Sequence, residues 1–211
     1  LVVRGAHPED VLTRAALAHG AIVIGMLQIE RRHVNEVHRK FSRELLEDLA
    51  TGRLTDASMV HTRAAWLGWS LHTPYVVVAA RCTSGVTACR QAAECDTCVA
   101  TIEAGLTQLR TLQRLTDAPI WQLPSAPGPA AVVSLRDECD AETVVDALRD
   151  VRARERTGRQ AAIGVSDVRT DLLALRQAFI EAVLAATTLS SSPGHAAAQG
   201  FRDLGPLRAR G

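Results

Sequence analysis

The sequence predicts an α+β fold, a ferredoxin-like antiparallel sheet with helices on one face, preceded by a long N-terminal helix. Three observations carry this. The run Tyr75-Val76-Val77-Val78-Ala79-Ala80 is continuously apolar, as a central strand covered on both faces must be. From Tyr75 onward the segments alternate as strand, helix, strand, strand, helix, strand, helix, and the first six spell the split βαβ arrangement. Upstream, apolar residues recur at helical spacing through Ile22, Met26, Ile29, Val34, Val37, Phe41, Leu45 and Leu49.

Each element follows from its local chemistry. Leu1 to Gly5 reads as the last strand of something upstream. Pro8 suits a first helical turn, and Glu9 and Asp10 favour the positive end of the dipole. The helix runs to Ala50, as one piece or as two joined near Gly20 to Gly25, and Thr51-Gly52 stops it. One apolar stripe on so long a helix predicts a partner helix from a second copy; the alternative is an ordinary helix curled over the core. Asp56 to Leu67 is a short helix ending at Gly68. Cys89 to Leu115 is helical, with Val99, Ile102, Leu106, Leu109 and Leu112 on one face. Ile120 to Leu123 and Ala130 to Leu135 are strands, joined by the turn Pro124-Ser125-Ala126-Pro127-Gly128-Pro129. Ala141 to Arg156 is a helix with Val144, Val145, Leu148 and Val151 inward. The strand Ala161 to Val165 and the amphipathic helix Leu172 to Leu189 complete the series.

Composition excludes several functions. Aromatic residues are 3% of the 211, too few for base-stacking or sugar-binding platforms. The formal net charge of +1 gives no electrostatic footprint for nucleic acid or membrane within these residues. No apolar run approaches the roughly 20 residues of a membrane helix. The five cysteines are an odd number, four of them between Cys82 and Cys98, unlike a secreted disulfide framework. A cytoplasmic protein without a membrane segment is expected. The chain starts at Leu1 and stops soon after Gly205 with nothing that acts on a substrate or on DNA, so it reads as the middle of a larger protein.

Glu44-Leu45-Leu46-Glu47-Asp48-Leu49-Ala50-Thr51-Gly52-Arg53 resembles the helix end of bacterial transcription activators of the PucR/CdaR type. Leu67-Gly68-Trp69-Ser70-Leu71-His72-Thr73-Pro74-Tyr75-Val76-Val77-Val78 is similar to the strand passage that follows it in that family. Ile163-Gly164-Val165 with Leu172, Leu175, Ala178, Phe179, Glu181 and Ala182, and Phe201-Arg202-Asp203-Leu204-Gly205, resemble its closing elements. The resemblance implies residues 1–53 as the end of a sensor domain plus a linker and dimerisation helix, and residues 54–211 as a degenerate GGDEF-like domain. It further implies DNA binding through a helix-turn-helix outside this chain.

Diguanylate cyclases of that fold need glycines to approach phosphate and carboxylates to hold a divalent metal on the turn between the central strands. Here the turn carries three prolines and no carboxylate, and the first strand ends Ala79-Ala80-Arg81-Cys82. No enzyme activity and no cofactor is expected. Cys89, Cys95 and Cys98 are the candidates for a thiol redox pair or zinc site, Cys95-Asp96-Thr97-Cys98 being a C-x-x-C. A second such pair is absent, and Cys95 falls on the apolar stripe with Val99 and Ile102, which reads as core packing. His33 and His38 point to different faces of a helix. Arg31, Arg32, Arg39, Lys40 and Arg43 alternate with Glu30, Glu36 and Glu44, as on a solvated face. The expected function is therefore a non-catalytic regulatory module that relays the signal of an unnamed small-molecule effector. It would act as a homodimer paired through Val34, Val37, Phe41 and Leu45.

Overall fold

The computed structural model describes residues 11–69, 73–82, 96–111, 120–122, 128–135, 140–154, 161–191 and 198–210. Leu1–Phe41 and Ser42–Gly211 are two compact units. The expected strand at Leu1 to Gly5 lies outside the described residues.

The first helix, α1, spans Val11–Thr51 in one piece, without a break at Gly20 to Gly25. Its end is a Schellman stop: Gly52 takes φ +73, its N–H donates to Leu49 O at 3.1 Å, and Arg53 N donates to Asp48 O at 2.8 Å. Helix α2, Ala57–Trp66, begins where the Asp56 carboxylate accepts from Ser58 N at 2.8 Å and Met59 N at 3.2 Å.

The sheet is built from β1 (Tyr75–Cys82), β2 (Ile120–Gln122), β3 (Pro129–Ser134), β4 (Ala161–Val165) and β5 (Ala198–Gly200). Its strand order is β2-β3-β1-β4-β5. The first four pair antiparallel, with Val77 opposite Val132 and Ala80 opposite Ile163. The α+β class and the ferredoxin-like order are those the sequence predicts. Between the strands run α3 (Asp96–Thr111), α4 (Asp140–Arg154) and α5 (Leu175–Ser190), the last entered through a 3-10 turn at Leu172–Ala174.

Alternation along β1 divides the core in two. Val76, Val78 and Ala80 face α3 and α4, which supply Cys98, Ile102, Leu106, Val144 and Leu148. These are the two helices of the split βαβ pattern, on one face as expected. Tyr75, Val77 and Ala79 face Leu45, Leu46 and Leu49 of α1, Val60 and Ala64 of α2, and Leu175, Ala178 and Ala182 of α5. This second covered face is an addition to the reading from sequence, and it explains why β1 is apolar without interruption. Contact with α5 is tight: a Cβ on Gly164 would lie 2.0 Å from Ala182 O.

Strand β5 was not foreseen. It pairs parallel to β4, with Ile163 opposite Ala198 and Val165 opposite Gly200. The chain thus enters β1 at Tyr75 and leaves β5 at Gly200 at one end of the sheet. Gly128, where the β2–β3 turn closes, lies at the other end, so close to β1 that a Cβ would meet Ala80 O at 1.9 Å.

One segment, Leu172–Ser190, is 19 residues long with mean hydropathy 1.5, long and apolar enough to cross a membrane by length and composition, contrary to the reading that no run approaches that length. In the fold it is the helix that lines the sheet, with Leu175, Ala178, Ala182, Ala185, Ala186 and Leu189 buried.

Candidate functional site

The four residues chosen for pairing fall into different environments. Val37 and Phe41 are 42% and 45% exposed on α1. Leu45 is 2% exposed and belongs to the domain core beside Leu46, Tyr75 and Leu175, so, against expectation, it packs within its own chain and not on an exposed pairing face. Val34 lies within α1, and its side chain is outside the described residues. In the first unit the exposed apolar set is wider than one stripe. Ile22, Met26 and Ile29 are joined by Val23, Ile24 and Leu27, each at least 40% exposed. The signal was present in the sequence, since Ala15–Glu30 carries almost no polar residue to mark a solvent face.

At the end of β1, Arg81 Nη1 donates to Thr187 Oγ1 of α5 at 2.9 Å. Cys82 is half-buried against the core on the α3 and α4 face. Cys98 is 1% exposed within that same core. Cys89, Cys95, Cys139 and the turn residues 124–127 lie outside the described residues. Among the described residues no group of three His, Cys, Asp or Glu side chains is placed to hold a metal ion.

A polar network was missed from sequence. Glu181, on α5, has a side chain only 6% exposed. Its Oε1 accepts from Arg169 Nη2 and from Gln177 Nε2, the latter at 3.1 Å, while Oε2 accepts from Asp167 N at 3.1 Å. Next to it, Ser166 Oγ accepts from Val77 N and donates to Asp167 O, both at 2.9 Å. Arg169 and Tyr75 exchange backbone hydrogen bonds at 2.8 and 2.9 Å. The Tyr75 hydroxyl donates to Asp171 O at 2.8 Å. Burial pushes that phenol above its ordinary value of 10.0, and the Asp171 carboxylate adds to the shift. The network fastens the segment after β4 to α5 and to the start of β1. Its carboxylate accepts from three donors, which makes it a lock. Apart from its place in the family resemblance, Glu181 stands out in the sequence as the one charge within an otherwise neutral stretch from Ala178 to Ser190. Its partner sits 12 residues away in irregular backbone, where periodicity says nothing.

Residues 51–188 match the family described as GGDEF-like domain. No curated protein is detectably similar to the chain. Among solved structures, it is similar to a regulator of polyketide synthase expression from Bifidobacterium adolescentis, at 15% identity and a TM-score of 0.51. That likeness covers 81% of this chain and 61% of the other, so the chain spans about three-fifths of that protein. A diguanylate cyclase, SiaD from Pseudomonas aeruginosa, solved in complex with its activator SiaC, aligns at 15% identity and a TM-score of 0.41, over 89% of this chain and 73% of that one. At such identity a structural likeness speaks for fold alone, and the family rests on the matched residues, which are well over half of the chain. This chain belongs to the GGDEF-like domain family.

Proposed function

We propose that this GGDEF-like domain and its long helix form a non-catalytic regulatory and dimerisation module of a PucR/CdaR-type transcription regulator. It relays an effector signal from an upstream sensor to a helix-turn-helix beyond this chain, and it works in the cytoplasm. The observation that carries the reading is α1: Ile22, Met26, Ile29, Val37 and Phe41 are all exposed on it, and an apolar face of that extent is ordinarily covered by another chain. Support for the regulatory part comes from the fold it shares with a regulator of polyketide synthase expression. Support for the absence of catalysis comes from the proline-bearing turn and from Arg81 and Cys82 at the end of β1. An effector that binds one packing of the paired helices more tightly than another shifts their population, and the shift is what the output domain reads.

Sedimentation equilibrium tests the pairing. The chain is expected to be a dimer, and Phe41→Asp is expected to raise its dissociation constant by at least about tenfold, roughly 1.4 kcal/mol. A monomer at all concentrations, or an unchanged constant, contradicts the reading. Incubation with GTP and magnesium is expected to yield no cyclic dinucleotide; product formation contradicts the non-catalytic part.

A further inference from the structure

We propose that Ala198 to Leu204 form a releasable strap that closes the open edge of β4, held by two ion-pair clasps and detachable without unfolding the rest of the sheet. The strap lies beyond residues 51–188, by which the chain belongs to its family. Its β5 part is three residues, Ala198–Gly200, laid parallel on Ile163–Val165. The first clasp is Arg149 on α4. Its Nε donates to Ala198 O at 3.0 Å, Nη1 is braced by Asp146 at 3.1 Å, and Nη2 lies 3.7 Å from Asp203 Oδ2. Asp203 turns back to accept from Gly200 N at 3.3 Å. The second clasp is Arg202 Nε on Asp167 Oδ1 at 3.2 Å. Asp167 is itself tied to Glu181 through its backbone N–H. Two apolar anchors complete the hold: Ala198 is fully buried and Leu204 is 6% exposed. Directly after Leu204 the backbone kinks at Gly205, with φ 55 and ψ −127.

The chemistry of this hold differs from that of the sheet it covers. β1 and β3 are fastened by fully buried Val and Ala side chains on both faces. The strap depends on Arg149 and Arg202, whose side chains are 41% and 71% exposed, so water and salt compete for its clasps. A short strand with few buried side chains opens locally at lower free energy than the sheet. Docked, it pairs the outer edge of Ala161-Ala162-Ile163-Gly164-Val165, an apolar strand that would otherwise present a bare edge. The strap is therefore a device with two positions, and a segment that follows Gly205 is directed only in the docked one.

Hydrogen exchange on the whole chain, read by mass spectrometry, tests this without reference to pairing through α1, so it stands or falls separately from the relay. In low salt, peptides spanning 198–204 should be protected, yet exchange at least about tenfold faster than β1. Salt at about 0.5 M should speed them a further threefold or more while β1 and β3 stay unchanged. Arg149→Gln and Arg202→Gln should do the same in low salt. Arg43→Gln, which breaks the remote pair with Glu47, should leave the strap unchanged. Protection equal to β1 and indifferent to salt would make β5 a fixed strand and overturn the proposal. So would absence of protection in the wild type, or an equal response to Arg43→Gln.

Discussion

Glu181 carries a charge in a helix face made of alanine and leucine, and it is tolerated because Arg169, Gln177 and the Asp167 N–H take up its oxygens. Removing one partner of a buried pair strands the other, which costs about 3 kcal/mol or more. Glu181→Ala should therefore lower the urea midpoint sharply, whereas Glu181→Gln, which keeps an acceptor for Asp167 N, should lower it less. Tyr75 gives an independent reading of the same corner, because it is the only tyrosine in the chain. Its folded pKa is raised, so the neutral phenol stabilises the fold below pH 10, and that stability is lost as pH rises past the ordinary value of 10.0. Absorbance at 295 nm should show no ionisation through the usual tyrosine range until the protein unfolds. Little of this corner was legible in the sequence. An apolar strand announces itself by composition, but which arginine meets a carboxylate depends on where irregular backbone puts it.

At the scale of elements, α1 carries buried and exposed apolar residues at one helical spacing, Leu45 being 2% exposed and Phe41 45%. Leu45→Ala should cost the domain about 2–5 kcal/mol, as cavity formation in a packed core does, and leave association untouched once folded. Phe41→Asp should do the opposite, weakening association with little change in the thermal midpoint. Thermal unfolding and sedimentation together separate the two. The spacing that joins Val37, Phe41 and Leu45 is correct as helix geometry; it cannot tell a face covered by the same chain from one that is left exposed. Helix ends, in contrast, were readable, because capping is local: Asp56 and Gly52 act on backbone within a turn. The Asp56 carboxyl is held below its ordinary 3.8 by the Ser58 hydroxyl and by the Met59 and Ser58 N–H groups. Its contribution is thus present above that value and lost as pH falls below it. The thermal midpoint should fall more steeply between about pH 5 and pH 2 in wild type than in Asp56→Asn, which caps without a charge. Strand β5 escaped notice because three residues with one buried alanine carry no period.

At the scale of the molecule, Ser42–Gly211 holds both core clusters, including the end of α1. A chain cut to residues 42–211 should unfold cooperatively at nearly the midpoint of the full chain, and should sediment as a monomer if pairing runs through α1. A broad, non-cooperative melt would mean that the second unit depends on the first. The fold class was legible at this scale because a split βαβ order leaves few topologies open. The double covering of the sheet was not, since it depends on which side α1 and α5 take.

Finally, β1 starts at Tyr75 and β5 ends at Gly200 at one end of the sheet, with β4 between them, whereas the β2–β3 turn closes at the opposite end. A sheet whose first strand is entered and whose last strand is left at one end keeps the opposite end clear of both connections. Its far end is then free to drift. A change of residue at the β2–β3 turn, which closes at Gly128, leaves those two connections where they are.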